Sequence, residues 1–435
     1  MRPCYRRAAT VSSSSVIHHD AFINGLPLRR PVRSRVVLIL IGVLLPALVS
    51  GQTAATRKSS APHKTVLYAA VGPELTLYEL DGEKAALIER GSVTLPGAIQ
   101  EGWPHPSLRY LYIAWSEGPK GQHGITSFRV DPSSGALTPN GQPASLPARP
   151  VFITTDMDGT HVLAAYPIPS GLTVNRILPD GTLGAQVQQA AALDFGVYAH
   201  QVRMDPSNRA VMLVTRGNGP TATKAEDPGA IKIFNYTDGA LTNRASIAPG
   251  GGFGYQVRHL DFQPSGKWVF VTLERQNQMQ VYRRTADGSL SANPLFVKST
   301  LMGSTPSRPG QAAASIHVHP NGKFVYVANR SMPGGENTIA VFSINQQTGE
   351  PTLIQSADTR GYQPRTFTLD ETGRFLVVAN QSPQTVHSDS GAMVVPASLA
   401  LFRVRDDGKL DFVRKYDVET PTGRNLFWAR FVALP

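Results

Sequence analysis

Hydrophobic and polar residues alternate along most of the chain with the period of two that is typical of β-strands. The clearest stretch is residues 315–354. Near its start, the apolar residues Ile316 and Val318 are separated by one polar residue. A Pro-Asn-Gly turn at 320–322 follows the first predicted strand, and a Gln-Thr-Gly turn at 347–349 precedes the last. Such turns join antiparallel strands. The stretch therefore predicts a unit of four antiparallel strands, and no helical period of useful length occurs in the chain.

The same unit recurs along the sequence. Clear copies cover residues 202–214, 258–274 and 365–380, and fainter copies cover 105–115 and 152–166. Aligning the first turn of each unit places the following residues in register, at spacings of 49 to 58 residues: Leu108, Gly159, Asn208, Gly266, Gly322 and Gly373. A four-strand repeat of about fifty residues is the signature of a β-propeller blade. A β-solenoid has shorter repeats, and two β-sandwiches do not give six evenly spaced copies.

The two ends of the repeating region complement each other. Residues 65–95 supply three strands without an opening strand, whereas residues 425–432 supply an opening strand with nothing after it. Sharing one blade between the two ends leaves no open seam. We therefore predict an all-β, seven-bladed β-propeller with four antiparallel strands per blade, closed by N- and C-terminal segments that share one blade.

The charge of the chain is concentrated before this region. The 435 residues carry a net +11, of which residues 1–51 hold +6, from seven arginines and Asp20. Four of these arginines directly precede fourteen largely apolar residues at 36–49, and a bilayer-spanning helix needs about 20. A basic flank, a short apolar run and small residues at 49–51 are typical of a secretory signal. The 35 residues before the apolar run are long for such a signal, which an over-extended start would explain.

We therefore expect a signal peptide at 1–51, a polar tether at 52–64 and the propeller at 65–435. The protein would be exported, either periplasmic or secreted, with an uncleaved membrane anchor as the second alternative and no stable membrane span. The lone cysteine, Cys4, excludes an intramolecular disulfide. The propeller carries only +5 and no basic run interleaved with aromatics after residue 64, so nucleic acid is not an expected partner. We expect a monomer.

Four segments of the repeats carry a resemblance to a known family. They are residues 198–202 (YAHQV), 257–266 (VRHLDFQPSG), 315–330 (SIHVHPNGKFVYVANR) and 361–380 (GYQPRTFTLDETGRFLVVAN). In these segments the chain resembles the lactonase family of seven-bladed propellers, which includes bacterial 6-phosphogluconolactonases and the fungal carboxy-cis,cis-muconate cyclase. The resemblance covers residues 65–435. It implies an enzyme that acts on a small lactone or carboxylate substrate and needs neither a metal nor another cofactor.

The resemblance also implies a site. Opening strands of blades line the central channel, so polar residues at their ends converge although they are distant in sequence. The family's proposed pocket of one histidine, two arginines and one glutamate matches His200, Arg258, Arg330 and Glu274. We expect His200 or Glu274 to act as base, and Arg258 and Arg330 to hold the substrate or stabilise an oxyanion. Two further residues at equivalent hairpins are expected to bind substrate at the rim: Gln363 and Arg365.

Each of these residues also has a purely structural interpretation. His200 is then a strand cap, Arg258 pairs with Glu274, and Arg330 pairs with Glu336 in its own loop. Strand alternation predicts that His259, next to Arg258, points away from the channel and packs as a structural histidine.

Three further histidines and one tryptophan are candidates for a metal site or for the mouth of the channel. His317 and His319 lie two residues apart without a carboxylate or third histidine at useful spacing, so we do not expect a metal site there. Trp103 and His105 open the first complete unit and are expected to reach the mouth of the channel.

Three positions depart from the family pattern and affect what can be carried over. Leu273 stands where the family tends to have an asparagine, Arg216 where it is usually acidic, and Ser315 where an acidic residue is frequent. Substrate contacts should therefore differ. The best-supported function is an exported hydrolase that opens a sugar lactone or related cyclic ester. The alternatives are a muconate-cycloisomerase-like enzyme that uses the same residues, and a non-catalytic ligand-binding propeller.

Overall fold

The structure is a computed structural model that describes residues 64–303, 309–388 and 391–435. The signal peptide and most of the tether expected from the sequence lie outside these residues. Strands dominate the described part, whose helical structure is a short 3-10 turn at Pro249–Gly252. No helix in the described ranges is long and apolar enough to cross a membrane.

The described part begins with the three outer strands of one blade: β1 (Thr65–Val71), β2 (Glu74–Asp81) and β3 (Ala86–Thr94). Blades 1 to 6 follow, and each runs from an innermost strand outward. Blade 1 comprises β4 (Ala98–Pro104), β5 (Tyr110–Ser116), β6 (His123–Val130) and β7 (Leu137–Pro139), with a short β8 (Ala144–Ser145) beside β6. Blade 2 comprises β9 (Phe152–Thr155), β10 (His161–Pro167), β11 (Ser170–Ile177) and β12 (Leu183–Gln186). Blade 3 comprises β13 (Ala199–Met204), β14 (Ala210–Thr215), β15 (Ala230–Thr237) and β16 (Ala240–Ile247).

Blade 4 comprises β17 (Val257–Phe262), β18 (Trp268–Leu273), β19 (Gln278–Arg283) and β20 (Phe296–Ser299). Blade 5 comprises β21 (Ala312–Val318), β22 (Phe324–Arg330), β23 (Thr338–Ile344) and β24 (Pro351–Asp358). Blade 6 comprises β25 (Pro364–Leu369), β26 (Phe375–Asn380), an inserted hairpin of β27 (Gln384–Ser388) and β28 (Gly391–Val395), and then β29 (Ser398–Val404) and β30 (Leu410–Asp417). The chain ends with β31 (Leu426–Ala433).

The last strand closes the ring as the sequence predicts. β31 pairs antiparallel with β1, from Thr65 opposite Ala433 to Val71 opposite Leu426, and becomes the innermost strand of the closing blade. Each innermost strand contacts the innermost strands of both neighbours, and the circle is completed between β31 and β4. The prediction of a seven-bladed, four-stranded propeller with one shared blade is therefore confirmed.

The core lies between blades. One apolar cluster fills each of the seven blade-to-blade interfaces, for example between the closing blade and blade 1 and between blades 3 and 4. Buried tyrosines add hydrogen bonds across these interfaces. The Tyr68 hydroxyl donates to the Gly135 carbonyl at 2.5 Å, and the Tyr326 hydroxyl donates to the Gly408 carbonyl at 2.9 Å. Each acceptor lies in the outer turn of the following blade, so the tyrosines fix one blade against the next.

The six turns aligned from the sequence share one backbone geometry. Each of the following residues has a positive φ between 57° and 73°: Leu108, Gly159, Asn208, Gly266, Gly322 and Gly373. Glycine adopts this left-handed conformation without a steric penalty, and asparagine tolerates it. Leu108 is the one of the six that is neither glycine nor asparagine, and it still has a φ of 62°. The shared geometry shows that all six are equivalent turns between the first two strands of a blade.

We expect Tyr326→Phe to lower the free energy of unfolding by about 1 to 3 kcal/mol, because the buried Gly408 carbonyl loses its donor. Urea unfolding of the full chain measures this change. The control is Tyr78→Phe, since the half-buried Tyr78 makes no hydroxyl hydrogen bond in the described part of the chain, and it should change stability by less than about 0.5 kcal/mol. Equal effects of the two substitutions would contradict the role assigned to the Tyr326 hydroxyl.

Candidate active site

The candidate residues on innermost strands are placed by β-bulges. In β13, pairing with β14 jumps from Ala199 to Gln201, so His200 is an extra residue. The same irregularity leaves Arg258 extra in β17 and Arg365 extra in β25. A bulge re-aims a side chain and breaks the strict alternation of strand faces. We call the end of the channel at these bulges, where the innermost strands begin, the upper end, and the opposite end the lower end.

Glu274 is the centre of the ion pairs at the upper end. It directly follows β18, and its Oε2 lies 3.1 Å from Nη1 of Arg216 and 3.9 Å from Nε of Arg258. Its Oε1 accepts a short hydrogen bond from Nη2 of Arg330. Burial alone would raise the pKa of Glu274, but the charges of the three arginines outweigh it and lower that pKa from 4.5 to about 2. Glu274 is therefore a carboxylate at every physiological pH.

Several arginine donors at this end have no hydrogen-bond partner in the part of the chain that the structure describes. Arg258 is only 1% exposed, yet its Nε and Nη2 make no hydrogen bond within the described residues. The Nε atoms of Arg330 and Arg365 are also buried and unpartnered there. Arg365 lies with its guanidinium 4.0 Å from the centre of the Phe427 ring. Because buried donors are nearly always satisfied in folded proteins, these unused donors indicate a position where a polar ligand group binds.

His200 lies among these cations. It is 6% exposed, and its Nδ1 is buried without a hydrogen-bond partner in the described ranges. Its ring stacks on Tyr198 at a centroid distance of 6.4 Å and lies 5.1 Å from the ring of His259. Burial, followed by the charges of Arg258 and Arg365, lowers the pKa of His200 well below 6.5. The imidazole is therefore neutral at pH 7 and able to accept a proton.

Gln363 joins the site at its mouth. It lines an open cleft together with Glu274 and Arg330, and its backbone N–H donates to Oδ1 of Asn337 at 2.9 Å. Its φ of 57° belongs to the left-handed region. All six residues singled out from the sequence therefore lie at the upper end of the channel. Arg330 pairs with Glu274 rather than with Glu336 of its own loop.

Two expectations about neighbouring residues were wrong. His259 does not point away from Arg258: its Nε2 lies 3.4 Å from Nη1 of Arg258, and it lines a cavity of the channel. The bulge at Arg258 explains this result, since both residues then face the same side. His105 does not reach the channel mouth, because its Nε2 is 2.9 Å from the Gly159 carbonyl in the next blade, whereas Trp103 does line the channel.

Three residues that make contacts at the upper end were not among those predicted from the sequence. Arg216 was noted only as a departure from a usually acidic position, yet it contacts Glu274 and lies 4.1 Å over the Tyr198 ring. Phe427, under Arg365, is the bulge residue of β31. Gln100, the bulge residue of β4, accepts a hydrogen bond from Nε of Arg149 at 2.9 Å. For Phe427 and Gln100, their equivalence to His200 along the blade repeat was the available signal.

His317 and His319 diverge instead of forming a pair. His317 lines the channel, whereas His319 lies beyond the end of β21 with Nε2 3.0 Å from the Gly373 carbonyl of the next blade. Within the residues that the structure describes, no group of three His, Cys, Asp or Glu side chains is arranged to hold a metal ion.

The low pKa of Glu274 makes its contribution to stability depend on pH. A carboxylate with a depressed pKa stabilises the fold fully above its unfolded pKa of 4.5 and loses that contribution as pH falls toward 2. We expect the stability difference between wild type and Glu274→Gln to be constant above about pH 5 and to shrink below it, by up to about 3 kcal/mol in total. Urea unfolding from pH 7 to pH 3 measures it.

The matched control is Glu371→Gln, at an exposed glutamate in a blade turn. Its difference from wild type should show little dependence on pH over the same range. A Glu274→Gln difference that stays constant down to pH 3 would show that the arginines do not hold the carboxylate as described.

Comparisons with known proteins agree with this architecture. The family model described as "Lactonase, 7-bladed beta-propeller" matches residues 67–389. A 6-phosphogluconolactonase of Bacillus subtilis is 31% identical over 314 residues, which cover 70% of this chain and 83% of that protein. A 6-phosphogluconolactonase of Pectobacterium carotovorum is 28% identical over 296 residues, which cover 68% and 81% respectively.

Solved structures resemble the chain in fold. The structure of a periplasmic gluconolactonase from Pseudomonas aeruginosa has 21% identity and a TM-score of 0.63, with 85% of this chain and 99% of that chain covered. A protein from Lactobacillus plantarum has 23% identity and a TM-score of 0.65, with 86% and 100% covered. At these identities the likeness shows the fold alone.

Proposed function

Because the chain belongs to the lactonase family of seven-bladed β-propellers, we propose that it is a hydrolase that opens a sugar lactone or a related cyclic ester at the upper end of its channel. The observation that carries the proposal is the grouping of a neutral, buried His200 with arginines whose buried N–H donors have no hydrogen-bond partner within the described ranges. This combination offers a proton acceptor beside groups that bind an anion. Ester hydrolysis through a tetrahedral oxyanion needs both.

In this proposal His200 is the general base. It removes a proton from water as the water oxygen bonds to the lactone carbonyl carbon. The carbonyl oxygen becomes an oxyanion, which the guanidinium groups of Arg258 and Arg330 stabilise by charge and hydrogen bonds. The bond from the carbonyl carbon to the ring oxygen then breaks, and His200 returns the proton to the leaving alkoxide. The product is a hydroxycarboxylic acid, which releases a proton at neutral pH.

Glu274 is not the general base in this proposal, although the sequence left that role open between His200 and Glu274. A carboxylate with a pKa of about 2 that is engaged by three arginines has little tendency to accept a proton. Glu274 instead positions Arg216, Arg258 and Arg330 and offsets part of their mutual repulsion. Removing it would leave like charges buried together, which is costly. His200 is preferred over Glu274 as the base, because both carboxylate oxygens of Glu274 accept hydrogen bonds from arginines, whereas Nδ1 of His200 has no hydrogen-bond partner among the described residues.

The charge of the site favours a substrate that carries its own anionic group. Arg216, Arg258, Arg330 and Arg365 outnumber the carboxyls that act on them, which are Glu274 and, for Arg365, also Glu101. Burial and neighbouring charges lower the pKa of Arg365 only to about 10, so it remains a cation at neutral pH. We propose that Arg365 and Gln363 hold a carboxylate or phosphate substituent of the lactone at the rim, since guanidinium groups bind such anions in bidentate fashion.

The leader extends the proposal to location. Residues 1–51 combine a basic flank with a short apolar run, so we propose that the propeller acts after export, in the periplasm or outside the cell. A phosphorylated sugar lactone is a cytosolic metabolite. An exported enzyme therefore favours a different lactone as its natural substrate, and a carboxylate substituent meets the same charge requirement.

We expect His200→Ala to lower lactone hydrolysis by about 10²- to 10⁴-fold, as loss of a general base does. The assay follows proton release by pH-stat with a panel of lactones on the full chain. The control His387→Asn alters an exposed histidine in the inserted hairpin and should leave the rate unchanged. Binding of lactones without turnover by wild type would overturn the hydrolase proposal in favour of a binding protein. Isomerisation without net proton release would favour the cycloisomerase-like alternative.

We expect Arg365→Gln to reduce the preference for an anionic over a neutral lactone. The ratio of kcat/KM for 6-phosphogluconolactone to that for glucono-1,5-lactone should fall about tenfold, the effect of losing one charge-assisted hydrogen bond. Arg374→Gln, at an exposed arginine in a blade turn, is the matched control and should leave the ratio unchanged. An unchanged ratio in Arg365→Gln would show that Arg365 does not bind the substituent.

A further inference from the structure

A second cavity lies in the channel below the bulges. It has a volume of about 220 Å³ and shares no lining residue with the upper cleft formed around Glu274 and Arg330. Ligand pockets for drug-sized molecules begin at roughly 300 Å³, so this cavity suits a smaller molecule. Its wall includes the His317 side chain, which is 34% exposed. None of the six residues assigned to the upper site lines it.

Two arginines from opposite parts of the ring meet at one indole in this cavity. The guanidinium of Arg430, on β31, lies 4.0 Å from the centre of the Trp103 ring, and that of Arg203, on β13, lies 5.3 Å from it. Cations placed over an aromatic face are stabilised by it and held in orientation. The cavity therefore presents two fixed cations although it lies outside the site used for hydrolysis.

The two arginines differ in how their charge is balanced. Arg203 pairs with Asp261 at 3.0 Å, and the Asp261 carboxylate also accepts the backbone N–H groups of Phe262 and Val318. Arg430 forms no ion pair among the residues that the structure describes. Burial lowers its pKa only to about 10, so it is charged at neutral pH.

The buried carboxyl in the same wall does not fully neutralise Arg430. Burial raises the pKa of Glu101 to about 7, so at neutral pH it is only partly ionised, and its Oε1 accepts a hydrogen bond from Nε1 of Trp428 at 2.6 Å. The nearby His317 is uncharged, because burial lowers its pKa to about 4. Within the described residues, Arg430 is therefore the arginine of this cavity that has no ion pair, although the charges of Glu101 and Asp261 act on it.

A hydroxyl in the cavity wall also lacks a partner. Oγ1 of Thr366, on β25, is buried and makes no hydrogen bond within the described ranges. Buried hydroxyls are rarely left unsatisfied. A ligand that carries both a carboxylate and a hydroxyl group would complement Arg430 and Thr366 together, whereas a bare anion would complement only Arg430.

From this arrangement we propose that the lower cavity is a second binding site, which takes a small hydroxycarboxylate with its carboxylate on Arg430 and a hydroxyl on Thr366. The site is separate from the site proposed for hydrolysis and does not depend on turnover. Its ligand class is a polyhydroxylated or simple hydroxy acid of a size that fits about 220 Å³.

The test measures binding on the full chain by isothermal titration calorimetry with D-gluconate as probe. The Arg330→Gln background weakens the upper site, so the remaining binding reports on the lower cavity whether or not hydrolysis occurs. In this background, Arg430→Gln should weaken D-gluconate at least about tenfold, as expected for a lost charge-assisted hydrogen bond, and Arg430→Lys should weaken it less. Affinity unchanged within twofold in Arg430→Gln, or no binding in the Arg330→Gln background, would overturn the proposal.

A second variant keeps the test independent of any effect of Arg430 on folding. Thr366→Val preserves shape and removes the hydroxyl, so it should weaken D-gluconate severalfold and leave propionate, a carboxylate without hydroxyls, unchanged. Equal effects on both probes would overturn the assignment of Thr366. Inorganic phosphate that binds as tightly as D-gluconate and with the same dependence on Arg430 would show a plain anion site and overturn the hydroxycarboxylate proposal.

Discussion

A single carboxylate determines the arrangement of charge at the upper end of the channel. Glu274 contacts arginines that come from three consecutive blades, because Arg216 follows β14, Arg258 lies in β17 and Arg330 ends β22. Without a shared counter-charge, three buried guanidinium groups would repel one another and rotate toward solvent. With it, each keeps one side on the carboxylate, and Arg258 and Arg330 keep buried N–H donors without a hydrogen-bond partner among the described residues. The same interaction joins three blades and holds their three arginines together at one pocket.

The blade scaffold explains why such a cluster is tolerated. Seven separate apolar clusters, one per interface, hold the blades, so the stability of the ring does not depend on apolar packing along the channel axis. Polar and charged side chains are therefore concentrated on the axis, where the innermost strands face one another. The channel contains two chemically distinct ends, and the bulge residues Arg258 and His200 belong to the upper one.

Much of the fold was readable from the sequence because repeats reinforce one another. Six turns at similar spacing and two complementary end segments were enough to predict the number of blades and the way in which the ring closes. The inserted hairpin of blade 6, formed by β27 and β28, was not predicted, because it interrupts the repeat with strands that pair only with each other. The left-handed turn at Leu108 was found through alignment with the glycine turns, although leucine itself gives no such signal.

The site was only partly predictable, and the bulges are the reason. The resemblance led to the six residues at the upper end, but alternation placed His259 on the wrong side, since one extra residue at Arg258 reverses the faces that follow. Arg216 appeared in the sequence only as an unexpected cation. Its contact with Glu274 requires two blades to be adjacent, which no local pattern contains. Phe427 and Arg430 reach the channel only because β31 pairs with β1, and no local sequence pattern shows that pairing.

The position of β31 also affects when the channel can form during synthesis and folding. β31 provides Phe427 beneath Arg365 at one end of the channel and Arg430 against Trp103 at the other. Its partner β1 lies more than three hundred residues earlier, so this pairing forms late and at a large entropic cost of loop closure. A nascent chain in which residues 426–435 have not yet been made has neither end of the channel complete. Both ends of the channel therefore become complete only after β31 has been synthesised and has closed the ring.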